Sequence, residues 1–286
     1  MLRSAKEMQG YAVEATDGAI GHVKDFYLDD AKWVIRYLVV DTGGWLSSRK
    51  VLVSPIAVGT PDWEQKLLPV SISKEQVRNS PSIDTEQPVS RQHEIAYAAH
   101  YGYPNYWGDG GYWGGGMYPN LMMPSGGGFG GSDAGPGDEQ LEMVRRAKGR
   151  SEMAQSESAR RAHDDPHLRS CNTVVGYHIH ASDGDIGHVA GMLIDEQTWA
   201  VRYFVVDTSN WWLGHQVLIA PQWIKDMNWL DETVEVSMTR QAIKDAPLYD
   251  AQAAMSHEAE DRLYKHYGHV GYWTGYPIRE DEISRS

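Results

Sequence analysis

Two Asp-Thr pairs, Asp41-Thr42 and Asp207-Thr208, close apolar runs of the 286-residue chain. A carboxylate there suits general acid or base work if a partner lies near. An arginine stands five residues ahead of each Asp, Arg36 and Arg202. The expectation is structural: Asp and Thr bond neighbouring backbone where a strand runs into a turn, and each Arg forms an ion pair with a carboxylate of its own domain. His22 and His188 recur in one context and could relay protons, but a half-buried ring beside Trp33 or Trp199 is the expected role. His178 and His180, two apart, share a strand face and have a spacing that can bind zinc. Ala12 and Glu14 occupy the corresponding earlier positions, so no metal site is expected. His257, His266 and His269, near Glu258 and Glu260, read as solvated tail residues, and Cys171 as an idle thiol. No glycine run opens a helix with a Lys-Ser/Thr pair, and no Gly-x-Ser-x-Gly elbow occurs. The expectation is therefore a protein that is not an enzyme, with no catalytic residue and no cofactor.

The aromatic tails are the better functional candidates. Tyr101, Tyr103, Tyr106 and Trp107 lie in a Gly/Pro-rich stretch, followed by Tyr112 and Trp113, and Tyr267, Tyr272 and Trp273 form a second set. Tyr and Trp anchor protein interfaces, which makes these the candidate interaction residues. The competing expectation is that each tail folds back as a lid.

Composition narrows the partners. The net charge of −13 repels phosphate backbones, and the densest basic stretch, Arg145, Arg146, Lys148 and Arg150, is diluted by Glu142 and Glu152. No nucleic acid is expected. No apolar run approaches the ~20 residues of a spanning helix and no signal-peptide stretch follows Met1, so the expected location is the cytoplasm, with no integral membrane segment and room for peripheral association.

The elements that position these residues come in duplicate. A shift of 166 aligns residues 10–107 with 176–273 without a gap, with about a third of the positions identical. Asp17-Gly18 recurs as Asp183-Gly184, Gly21-His22 as Gly187-His188, and Arg36-Tyr37 through Asp41-Thr42 as Arg202-Tyr203 through Asp207-Thr208. Within a copy, strands are expected near 11–16, 19–28, 33–41, 50–54 and 67–72, with Asp17-Gly18 supplying a hairpin turn. A short helix capped by Ser73, or Thr239, stops before Pro81 or Pro247. Several short antiparallel strands in so few residues suit a small closed barrel. Asp17, Gly18, Gly21, Arg36, Asp41, Asp183, Gly184, Gly187, Arg202 and Asp207 are its expected structural residues. The division reads 1–85 first barrel, 86–107 aromatic tail, 108–137 mobile linker with thirteen glycines, 138–170 charged helical segment, 171–250 second barrel and 251–286 helical and aromatic tail.

The string Asp-Gly-x-Ile-Gly-His-Val, a Trp, Arg-Tyr-x-Val-Val-Asp-Thr and Val-Leu-x-x-Pro resembles the bacterial PRC-barrel family, named for the cytoplasmic domain of the photosynthetic reaction-centre H subunit. The elements Ser80-Pro81-Ser82-Ile83-Asp84, Pro88-Val89-Ser90-Arg91 and the tail at 101–107 resemble stand-alone members. The resemblance implies a mainly β fold of two small antiparallel PRC-type barrels, each with a short helix and an aromatic-rich tail, joined by a Gly-rich linker and a charged helix. It also implies a non-enzymatic scaffold or adaptor, of a family associated with stress physiology or the envelope, that binds a protein partner or forms a homo-oligomer. The alternative it implies is an accessory component of a membrane photosynthetic or electron-transfer complex.

Overall fold

The computed structural model describes residues 1–47, 49–81, 91–107, 111–114, 116–122, 168–208 and 215–275. The first copy runs β1 (Leu2–Ser4), α1 (Ala5–Met8), β2 (Ala12–Ala15), β3 (Gly18–Asp29), β4 (Val34–Asp41), β5 (Lys50–Val53), β6 (Leu67–Pro69), α2 (Lys74–Arg78) and α3 (Arg91–Tyr101). The second runs β7 (Leu168–Ser170), α4 (Cys171–Val174), β8 (His178–Ala181), β9 (Gly184–Asp195), β10 (Val201–Asp207), β11 (Gln216–Ile219), β12 (Ile224–Asn228), β13 (Thr233–Val236), α5 (Arg240–Lys244) and α6 (His257–His266). The protein is mainly β, with two sheets and a few helices.

The chain forms two compact units, and their composition departs from the copy boundaries. One unit comprises Glu7–Asn172 with Glu196–Ala200 and holds the order β5-β4-β3-β2-β6, with β7 paired to β3. The other comprises Met1–Lys6, Thr173–Asp195 and Val201–Ser286, and holds β11-β10-β9-β8-β13-β12, with β1 paired to β9. We call them the first and second unit after the copy that supplies most of each.

In the first unit β4 is buried from Val34 to Val40, the continuous burial expected of a strand covered on both faces. It carries β3 and β5 on its two sides, and Phe26, Leu28, Ile35, Leu38, Val40 and Val53 are fully buried. One pairing departs from the all-antiparallel expectation: β2 runs parallel to β6, and β8 to β13. The cause is the short 3-10 turn at Pro55–Ala57, or Pro221–Trp223, which bends the chain without reversing it, so that the strand returning from the next hairpin points along β2 or β8. Gly59 N donates to the Pro69 carbonyl and Ser71 N to the Ala57 carbonyl, so the chain leaving β5 bonds β6. Among the described residues no ladder joins β5 itself to β6, or β11 to β12.

The turn chemistry is finer than the sequence suggests. Only Gly18 of Asp17-Gly18 has positive φ, +124°. Asp17 instead accepts from Lys74 N at 2.7 Å at the start of α2, as Asp183 accepts from Arg240 N of α5. Ser73 and Gln76 form a full capping box on α2, and Thr239 caps α5. A Cβ on Gly21 would overlap the Asp41 carbonyl, and one on Gly187 the Asp207 carbonyl. Glycine is needed there for close approach.

The Gly-rich stretch behaves differently from the expected mobile linker where it is described. Trp113 is buried in the first unit and its Nε1 donates to the Thr198 carbonyl at 2.9 Å, while Lys32 Nζ reaches the Gly111 carbonyl at 2.6 Å. A ring that large offsets the ordering of its glycine neighbours. Residues 123–167, which include most of the expected charged helix, lie outside the described residues.

Candidate functional site

The site grows from a β-bulge. Across β3 and β4, Tyr27 pairs with Tyr37 and Leu28 with Ile35, which leaves Arg36 as the extra residue. A bulge re-aims the side chain it carries. Arg36 Nε and Nη2 donate to Asp29 Oδ2 at 3.1 and 2.8 Å, and Nη1 donates to the Tyr112 carbonyl at 2.5 Å. The Arg36 side chain is 0% exposed, and its guanidinium lies 3.7 Å from the Tyr106 ring centre and 4.9 Å from that of Trp113. Asp29 Oδ1 also accepts from the backbone N–H groups of Ala31 and Lys32. A buried charge so fully paired and stacked escapes most of the cost of leaving water. The Tyr106 hydroxyl completes the cluster by donating to buried Glu94 of α3.

The second unit repeats the Asp-Arg-Tyr-Glu part of the arrangement. Arg202 is the extra residue between Val201 and Tyr203, its Nη2 donates to Asp195 Oδ2 at 2.9 Å, and its guanidinium sits 4.0 Å from the Tyr272 ring centre. Glu260 of α6 accepts from the hydroxyls of Tyr203 and Tyr272 at 2.7 and 3.0 Å. Burial pushes the Glu260 carboxyl above its ordinary value, with the two hydroxyls opposing the shift. Burial and the nearby Glu260 push the Tyr203 hydroxyl far up.

The tails thus lie on their own units. Tyr97 of α3 accepts from Ser54 N at 3.0 Å and donates to the Leu52 carbonyl at 3.3 Å, which pins the helix to the end of β5. Tyr101 packs on Tyr97 and Tyr103, and burial pushes its hydroxyl up to about 12. His100 meets the Gln76 carbonyl at 2.8 Å and His266 the Ala242 carbonyl at 2.7 Å, so each tail helix also holds the capped helix before it. Of the candidate interaction residues, Tyr101 and Tyr106 are buried, and Tyr103, Trp107, Tyr267, Tyr272 and Trp273 are half-buried. Their rings pack within the unit that carries them. A small hollow in the first unit is lined by Arg36, Tyr37, Tyr97, Tyr103, Tyr106 and Trp107.

The remaining candidates separate. Asp41 accepts from Gly43 N at 2.9 Å, and the Thr42 and Thr208 hydroxyls donate to the carbonyls of Arg49 and His215. Neither Arg36 nor Arg202 meets the Asp five residues on, because five residues of strand span about 16 Å, and the arginines pair with Asp29 and Asp195 instead. His22 is exposed and pairs in register with Asp41, at the far end of the hairpin from Trp33, so the expected contact with that ring is absent. His188 likewise stands opposite Asp207. His180 pairs with Asp185 at 3.0 Å, and His257 and His269 pack on Trp273 and Trp223. Cys171 is buried, and its thiol is pushed up by burial and by Asp25. Among the described residues no group of three His, Cys, Asp or Glu side chains is placed to hold a metal ion, and no helix is long and apolar enough to cross a membrane. Sequence reasoning passes over Asp29 and Asp195 as partners of the two arginines, although both recur at the shift of 166, the signal that could have found them.

A search of curated proteins finds no match to the chain. Residues 2–75 match the PRC-barrel domain, a family generally non-catalytic, and this stretch carries β1 to β6 with the bulged Arg36 and its Asp29.

Proposed function

We propose that the chain is a non-enzymatic interaction protein, a scaffold or adaptor made of two PRC-barrel modules that grips a protein partner at the half-buried rim of its aromatic tails. The observation that carries this reading is the duplicated Asp-Arg-Tyr-Glu cluster. In both copies the groups best suited to chemistry are bonded to one another, and the same packing leaves Trp107 and Trp273 half-buried at the rim. Two similar surfaces on one chain raise the effective concentration of the second contact once the first has formed.

Affinity purification of the full chain, followed by cross-linking, tests this. A bound protein or a defined homo-oligomer is expected, lost in the Trp107→Ala, Trp273→Ala double variant while its thermal unfolding stays close to that of the parent. A parent chain that is monomeric and retains nothing contradicts the reading. Tyr106 and Tyr272 are unsuitable probes, because each seats an arginine and a glutamate of the fold.

A further inference from the structure

The three residues Leu2-Arg3-Ser4 recur as Leu168-Arg169-Ser170, at the same shift of 166 that relates the two copies. Each triplet precedes its own copy by the same spacing, and the PRC-barrel match begins at residue 2, so in sequence the strand belongs to the module that follows it. In space it does not. The first unit takes in Leu168–Asn172 from the second copy, and the second unit takes in Met1–Lys6 from the first.

The two pairings are equivalent down to the register. Leu168, Arg169 and Ser170 stand opposite Asp29, Leu28 and Tyr27, while Leu2, Arg3 and Ser4 stand opposite Asp195, Ile194 and Leu193, and both ladders are antiparallel. Side chains reinforce the seat in the first unit. Arg169 Nε meets Asp30 at 3.1 Å, the Ser170 hydroxyl donates to Asp25 at 2.5 Å, and Asn172 N donates to the same carboxylate at 3.1 Å. Leu168 is fully buried and Cys171 nearly so. Gln9 Nε2 closes the seat by donating to Asn172 Oδ1 at 2.6 Å.

We infer that the Leu-Arg-Ser strand is a docking element for a second copy of the module, and that the ends of β3 and β9, Tyr27–Asp29 and Leu193–Asp195, are its receiving edges. The occupant follows from reciprocity: two copies of one sequence exchange the same three residues into the same register. Each receiving edge presents unpaired backbone groups until a strand arrives. The inference does not depend on the proposed function, since it rests on the strand pairing alone.

The test uses the full chain and hydrogen exchange. Leu168→Ala is expected to speed exchange of the Tyr27–Asp29 stretch by about ten-fold or more and leave Leu193–Asp195 unchanged, and Leu2→Ala to do the reverse. The inference is overturned if each variant affects the strand of its own copy, if both strands respond alike to either variant, or if neither responds. A second measurement holds should a substitution unfold the chain: a protease site inserted between Gly127 and Gly128 is cut, and the product is run on a sizing column under native conditions. The two fragments are expected to elute as one species, and their separation overturns the inference.

Discussion

At position 21 a methyl group has nowhere to go, because the Asp41 carbonyl occupies the space a Cβ would fill, and position 187 repeats the constraint against Asp207. Gly21→Ala and Gly187→Ala are each expected to cost about 2–4 kcal/mol in urea unfolding, the sum of backbone strain and overpacking. The arginines allow a graded comparison. Arg36→Met leaves Asp29 buried beside a lost charge and should cost about 3–5 kcal/mol. Arg202→Met should cost less, because Arg202 and Asp195 remain 11% and 17% exposed where Arg36 and Asp29 are 0% and 7%. Equal losses in the two variants would contradict this account. Glu260 adds a dependence on pH. Its folded carboxyl titrates above the ordinary 4.5, so its contribution is whole below that value and is lost as pH rises through the shifted one. The stability of the parent relative to Glu260→Gln should therefore fall with rising pH above 4.5, and a flat difference in urea melts across that range would refute the assignment. The repeat makes the two glycines legible in sequence and marks Asp29 and Asp195 as well, but it does not say that the arginines meet them, because a bulge shifts the two-residue period by one and leaves no mark in the residue pattern.

Among the elements, the tail helices carry the clearest contrast. Tyr97 of α3 satisfies the Ser54 N–H from inside the first unit, whereas Leu263 stands at the matching position of α6 and is buried without a hydroxyl to offer. There Tyr264 makes the polar contact, accepting from Gln222 Nε2 at 2.5 Å. Tyr97→Phe should then cost about 1–3 kcal/mol through the unsatisfied Ser54 N–H. Exchange should quicken at Ser54 and along α3 while α6 is unaffected, and an unchanged α3 would show that the helix is held by its ring packing alone. The caps of α2 and α5 are readable from Ser73, Thr239 and the prolines that follow. The parallel pairing of β2 with β6 is not, since Ser54-Pro55 looks like any turn and nothing in the sequence says whether such a turn reverses the chain. The seating of the Gly-rich stretch escapes for a similar reason: composition argues for mobility and does not show that Arg36, Tyr106 and the Thr198 carbonyl give Trp113 a place to bind.

On the scale of the molecule, duplication, mainly β character and division into two units follow from the gapless repeat and the strand pattern. The membership of the two short end strands does not. Leu2–Ser4 and Leu168–Ser170 are too short to show periodicity, and an alignment says which residues correspond, never which edge they complete. Their placement has a consequence for the order of synthesis. When the ribosome has released α3, every strand of the first unit except one exists, and the Tyr27–Asp29 edge must wait until residue 172 has followed. Met1–Lys6 is made first and finds its edge only after β9 has emerged. Contacts so distant in sequence form late and slowly. The nascent chain therefore carries a bare strand edge through much of its synthesis, the condition in which pairing with a neighbouring nascent copy of the same chain competes with pairing within one.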